Sequence, residues 1–159
     1  MALTIYLSLV FLALYLVGLA IYRVKFRRDR RRMEQESRQG SRVIAQVEEL
    51  APGRVKKFWL VCQKYRLDGF LVNHGGSYYA YVNRCRHMAT PLDFVRDEFV
   101  SEDGRFLRCY THGALYEFAT GLCVDGPCKG ESLHRLPVRI DQGEVLVGCP
   151  EGDLRLLAD

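Results

Sequence analysis

Two short clusters, Cys85-Arg86-His87 and Cys109-Tyr110-Thr111-His112, constrain this chain more than any other stretch. Each offers one thiolate and one imidazole, as Cys-x-His and then Cys-x-x-His. Two cysteines and two histidines suit a tetrahedral zinc site, or a two-iron cluster with thiolates on one iron and imidazoles on the other. Zinc fingers usually gather both Cys in one knuckle and both His in another, whereas here every knuckle carries one of each. A dinuclear cluster needs each of two loops to reach both metals, and a Cys/His pair per loop does so. The order therefore points to an iron–sulfur site, with structural zinc as the competing assignment.

The amino-terminal segment is different in kind. Ala2 to Tyr22 carries no charged residue and is dominated by Leu, Ile, Val, Phe and Ala. That supplies the ~20 apolar residues a membrane-spanning helix needs at 1.5 Å rise per residue. Tyr6 and Tyr22 lie near its ends, where interfacial aromatics belong. A signal peptide is the alternative, with Gly18-x-Ala20 as small residues for cleavage, but signal peptides open with a basic region that is missing here. The expected organisation is a transmembrane anchor helix over 1–28, a basic and polar juxtamembrane linker over 29–51, one domain over 52–150 and a tail over 151–159.

The net charge of +4 is unevenly distributed. Seven basic residues against Asp29 give residues 23–32 a net +6, leaving −2 for the remainder of the chain. Nucleic-acid binding would want basic residues spread over a folded face with aromatics among them; these crowd beside the apolar span. By the positive-inside rule the run sets topology, with the amino terminus outside and the domain on the cytoplasmic side of a bacterial-type inner membrane. It also suits anionic headgroups of that leaflet. The expected contacts are thus a lipid bilayer and no nucleic acid.

On the cytoplasmic side cysteines stay reduced. Besides the two in the clusters, Cys62 and Cys149 are expected as small apolar packing residues, and Cys123 and Cys128, on either side of Gly126-Pro127, as free thiols, with a local bridge or a hydrogen-bonding role as the alternative. Val43 to Leu50 reads as a helical turn or two ended by Pro52-Gly53. Strands follow. Lys57–Cys62 is aromatic and β-branched. Gly69–His74, Gly75-Gly76 and Tyr78–Val82 make a hairpin whose glycines supply the positive φ of a tight turn. Asp103-Gly104 turns the chain into Arg105–Arg108, Leu115–Phe118 leaves the second cluster, and Leu136–Ile140 with Glu144–Val147 closes the domain. Many short strands at close spacing predict an all-β antiparallel sandwich or barrel. Trp59 reads as core, His74 and His134 as surface or capping residues, and Arg86 and Arg108 as exposed arginines, able to dock an acidic partner.

Residues 85–128, from Cys85-Arg86-His87 to Gly126-Pro127-Cys128, resemble the cluster-binding core of a Rieske [2Fe–2S] domain. Besides the four ligands, the likeness includes His112-Gly113-Ala114, the Thr120-Gly121 turn, and Gly126-Pro127, where that family places a proline loop over the cluster. With flanking strands it covers about residues 52–150. Arg86 and Ala89 stand where a Pro and a Gly are common. The resemblance implies that Cys85 and Cys109 hold the inner iron and His87 and His112 the outer, giving one [2Fe–2S] cluster per chain.

Neutral imidazoles in place of two thiolates raise the potential from about −400 mV to between about −150 and +300 mV. High-potential Rieske proteins of cytochrome bc complexes carry a further Cys in each loop, paired as a disulfide; the matching positions here are Thr90 and Thr111. Their serine two residues after the second His is here Ala114, while Tyr116 keeps the family's tyrosine. Fewer donors to sulfur leave the reduced state less stabilised, so a low potential is expected. The function implied is a membrane-anchored Rieske-type ferredoxin passing single electrons from a reductase to a membrane-associated oxidoreductase or oxygenase. The alternatives are the Rieske subunit of a quinol-oxidising cytochrome bc-type complex, or the electron-transfer subunit of a multicomponent monooxygenase or dioxygenase. Catalysis by this chain alone is not expected: His74 and His134 are too few and too far apart for a two-His-one-carboxylate iron site, and no Gly-rich nucleotide loop is present.

Overall fold

A computed structural model of the chain describes residues 15–28 and 40–158. Residues 15–28 form one helix, α1, on which the Tyr22 and Phe26 rings stack with centroids 6.3 Å apart. At 1.5 Å per residue these 14 described residues span about 21 Å. No helix among the described residues is long and apolar enough to cross a membrane. Residues 1–14 of the expected anchor, and 29–39 of the expected linker, lie outside the described residues.

The rest of the described chain is a second unit. Its strands are β1 (Ser41–Gln46), β2 (Val55–Cys62), β3 (Tyr65–His74), β4 (Ser77–Val82), β5 (Leu107–Arg108), β6 (Leu115–Tyr116), β7 (Cys123–Asp125), β8 (Arg135–Leu136), β9 (Val138–Asp141) and β10 (Glu144–Gly148). They form three antiparallel sheets, ordered β1-β10-β9, β2-β3-β4-β8 and β5-β6-β7. The all-β antiparallel expectation holds.

The middle of β3, Phe70-Leu71-Val72, explains the layering. Side chains alternate along a strand, and both sets are buried here. Leu67 and Leu71 pack into one core with Ile44, Ala45, Val145 and Val147 of the β1-β10-β9 sheet. Phe70 and Val72 pack into a second core with Leu92, Leu107, Ala114 and Tyr116 around the two Cys/His segments. The central sheet is thus covered on both faces. Each large apolar side chain so buried contributes about 1.5–3 kcal/mol. β4 divides in the same way, with Ala80 and Val82 toward the first core and Tyr81 toward the second. The Tyr81 hydroxyl donates to the Phe118 carbonyl at 2.8 Å, satisfying its polar end.

Four expectations change. Val43 to Leu50 is not helical: Ser41–Gln46 is strand β1, paired to β10. A register shift between Val43 and Ala45 buries Ile44 and Ala45 consecutively, which erases the period-two pattern from the sequence. Cys62 and Cys149 are joined in a disulfide. Packing of the first two sheets brings their Cα atoms to 5.6 Å, within the span a bridge covers. Trp59 is 46% exposed rather than core, flanked by the Arg42 and Arg66 guanidinium groups at 4.8 and 5.3 Å from its ring. The carboxy-terminal segment packs back, burying Leu154 and Leu157, and Arg84 donates to the Ala158 carbonyl at 3.0 Å.

Candidate metal centre

The two Cys/His segments adopt the same turn. In the first, which follows β4, the Cys85 N–H donates to the Thr90 carbonyl at 2.7 Å and the Ala89 N–H to the Cys85 carbonyl at 2.9 Å. In the second, delivered by β5, the Cys109 N–H donates to the Ala114 carbonyl and the Gly113 N–H to the Cys109 carbonyl, both at 2.9 Å. The fifth residue of each turn is left-handed: Ala89 at φ 57° and Gly113 at φ 79°. Glycine takes that conformation freely, so the Ala at 89 carries strain that its counterpart lacks. The turns are tied together by Tyr110 N–H to the Leu92 carbonyl, 3.0 Å. Thr90 and Thr111 face each other with hydroxyl oxygens 3.5 Å apart.

A third segment, Gly126-Pro127, closes over the second turn. A Cβ at Gly126, where φ is 104°, would lie 2.7 Å from the Ala114 Cα, so only glycine permits this approach. Asn83 braces the first turn, accepting from Leu92 N–H at 2.9 Å and donating to Asp93 at 2.7 Å. Lys57 on β2 bridges Asp93 and Asp97 of the intervening segment.

The four chemical groups divide two and two. Cys85 and Cys109 are buried, at 4% and 1% exposure. A hydrogen bond from the Cys109 thiol lowers the pKa of Cys85, helped by the Tyr116 hydroxyl and the His87 and Met88 amides. Sharing that proton pushes Cys109 up; the pair surrenders its first proton easily and holds the second. His87 and His112 are exposed and meet edge to face, ring centroids 4.9 Å apart at 82°. Among the described residues, no three or more Cys, His, Asp or Glu side chains are grouped to hold one metal ion. A buried thiol pair beside an exposed imidazole pair is a donor set that suits a two-iron cluster, and these residues fit one. Bound there, such a cluster supplies one-electron uptake and release.

The surroundings join groups whose contacts with one another the sequence did not reveal. The Tyr116 hydroxyl lies 3.1 Å from Cys85 Sγ and 3.0 Å from Cys128 Sγ, and accepts from the Arg86 N–H at 3.2 Å. Burial, with hydrogen bonding to Cys128 and Cys85, pushes this phenol up. Arg86 is not a free surface arginine: it pairs with Glu131 at 3.1 Å and touches the His134 ring nitrogen. Its Nε is buried with no partner among the described residues, as is that of Arg108, whose guanidinium lies 5.1 Å from the Tyr110 ring centre. His134 is half-buried, and burial plus Arg86 and Arg84 lower its pKa. Nothing local in the sequence marks it: pairing of Tyr81 with Arg135 carries it beside Arg86. His74 stays away from the cluster turns, its ring stacked on Phe118 at 4.1 Å.

The all-β fold, its two Cys/His turns and the covering loop together suit an iron–sulfur electron-transfer domain. The chain belongs to the Rieske [2Fe–2S] domain family, whose model matches residues 41–142. The cofactor is accordingly a Rieske-type [2Fe–2S] cluster. Over 81 residues, 51% of this chain and 72% of the relative, it is 30% identical to the 3-phenylpropionate/cinnamic acid dioxygenase ferredoxin subunit of Shigella flexneri serotype 5b. The Escherichia coli K12 subunit of the same name matches equally. Among solved structures, the ferredoxin of carbazole 1,9a-dioxygenase from Nocardioides aromaticivorans IC177 superposes with TM-score 0.55 at 24% identity, covering 68% of this chain and 96% of that one. The terminal oxygenase of carbazole 1,9a-dioxygenase from Novosphingobium sp. KA1 gives TM-score 0.59 at 20% identity, covering 72% of this chain but only 31% of the oxygenase. These likenesses support the fold.

Proposed function

We propose that Cys85 and Cys109 hold one iron of the cluster and His87 and His112 the other, and that the chain serves as the electron-transfer ferredoxin of a multicomponent oxygenase. The observation that carries this reading is the division of the site: thiols buried at 1–4% exposure, imidazoles at the surface. A cluster held this way is insulated on the sulfur side and reaches solvent only through its imidazole edges, which become the port for an electron. The dioxygenase ferredoxin subunits among the relatives favour an oxygenase as acceptor over the broader class of membrane oxidoreductases. Thr90 and Thr111, standing where cytochrome bc Rieske proteins carry a disulfide, weigh against the quinol-oxidising alternative.

The membrane tether remains part of the proposal. It is supported by the uncharged run Ala2–Tyr22 and by the basic residues 23–32, which under the positive-inside rule favour a cytoplasmic domain. Against that side stands the Cys62–Cys149 bridge, since disulfides persist in oxidising compartments. A carboxy-terminal topology reporter decides: a cytoplasmic signal is expected, and an outside signal overturns this part alone. For the function, the dithionite-reduced chain is mixed with an oxidised Rieske-type terminal oxygenase and cluster reoxidation is followed by paramagnetic resonance. Reoxidation under anaerobic conditions is expected. A cluster that stays reduced would exclude the electron-donor role.

A further inference from the structure

Trp59 is the chain's one tryptophan, and it stands on β2, an outer strand of the central sheet. Val61, two residues on and therefore on the same face of that strand, is 60% exposed beside an indole that is itself 46% exposed. The Arg42 guanidinium reaches across from β1 to 4.8 Å from the indole centre and donates to the Trp59 carbonyl at 3.0 Å. Arg66, opposite Val61 on β3, lies 5.3 Å from the same ring and pairs with Asp68 at 3.0 Å. Lys64, in the turn between β2 and β3, lies over the Tyr65 ring at 5.4 Å. Arg42, Lys64 and Arg66 against Asp68 give this face 3 − 1 = +2 around an apolar centre. An indole with one wet edge, an aliphatic neighbour and flanking guanidinium groups has the make-up of a bilayer interface. There the ring sits at headgroup level and arginines meet phosphate.

Position in the chain selects the occupant. Arg42 follows Arg32, the last of the basic run, by ten residues, so even a fully extended chain keeps the two within about 36 Å. A bilayer that holds residues 2–22 is therefore presented to this face at high effective concentration. We propose that the Trp59 face, with Arg42, Val61, Lys64 and Arg66, lies on the anionic headgroups of that bilayer. The proposal rests on the membrane tether put forward above, and it is the same whichever side of the membrane the domain occupies. Lipid phosphates meet the cations, the indole and Val61 enter among the headgroups, and the domain is held in one orientation instead of swinging on its linker.

The test reconstitutes the full chain with its cluster into phosphatidylcholine vesicles, with or without phosphatidylglycerol. Flotation reads the tether, visible absorption reads the cluster, and the emission of the one tryptophan reads this face alone. Matched vesicles carry lipid brominated near the headgroup end of its acyl chains, a quencher that acts only at contact. With phosphatidylglycerol, Trp59 emission should move to shorter wavelength and be quenched by the brominated lipid. The quenching should be largely lost in phosphatidylcholine alone, and in ~1 M salt, where charges are screened within about 3 Å. Arg42→Gln should lower the ratio of docked to undocked molecules about fivefold, the share of one surface cation. Val61→Asp changes an exposed position and should abolish the quenching, which keeps the test open if Arg42→Gln does not fold. A chain that floats while Trp59 keeps its solvent-exposed emission, unquenched, would overturn the proposal and leave the tether standing. So would equal quenching in neutral and anionic vesicles, or quenching that neither variant changes. A chain that floats with neither vesicle would remove the tether, and this proposal with it.

Discussion

Tyr116 and Ala89 show how much single side chains set the properties of this centre. The Tyr116 hydroxyl is a direct donor to Cys85 sulfur at 3.1 Å, whereas position 114 is an Ala whose side chain has no donor. Tyr116→Phe removes a hydrogen bond worth about 1 kcal/mol and should lower the midpoint by roughly 50 mV, measured by redox titration of the variant beside the parent. At Ala89 the left-handed backbone costs about 1–2 kcal/mol for a residue with a Cβ, and Gly adds about 0.5–1 kcal/mol of unfolded-state entropy. Ala89→Gly should therefore raise stability by about 0.5–1 kcal/mol, read as a higher denaturant midpoint; a lower one would mean the Ala methyl is needed. His134 supplies a pH dependence. Its pKa is lowered in the fold, by burial first and then by Arg86 and Arg84, while Glu131 holds the other side of Arg86. The unfolded chain then binds more protons over the window between the lowered value and about 6.5. Stability should be full above that window and fall as pH drops through it, and His134→Gln should flatten this part of the profile.

The elements explain which parts of the site were legible in advance. Cys85, His87, Cys109 and His112 sit in two local turns, so their spacing announced them, and the β3–β4 hairpin was equally plain from Gly75-Gly76. The Arg86–His134–Glu131 group was not, because its members come from segments joined only by the β4–β8 pairing. Strand β1 was hidden for a similar reason. Its partner β10 lies about a hundred residues away, and the register shift buries two consecutive residues. Among these elements the Gly126-Pro127 segment is held to the second turn by sheer closeness. Gly126→Ala forces a Cβ to within 2.7 Å of the Ala114 main chain. That clash must lift the loop, because backbone rather than a flexible side chain is in the way. Faster loss of the cluster absorption on challenge with an iron chelator is expected; unchanged retention would show that the loop does not protect the site.

At the scale of the folded body, three sheets share two cores, and the middle sheet belongs to both. The cluster turns are thus built on a layer that the β1-β10-β9 sheet supports from behind. The Cys62–Cys149 bridge fastens that supporting sheet to β2 across 87 residues of sequence. A closure of this length contributes about 4 kcal/mol by restricting the unfolded chain, so Cys149→Ser should lower the unfolding free energy by about that amount. A smaller loss would mean the sheets' apolar contact suffices. The proposed role comes down to one electron, taken up by a cluster that the two buried thiols and two surface imidazoles would hold. An anaerobic redox titration of the full chain, followed by paramagnetic resonance, examines that directly. A single one-electron wave in the lower part of the range from about −150 to +300 mV is expected. No paramagnetic species after dithionite, or a midpoint well above about +100 mV, would contradict it.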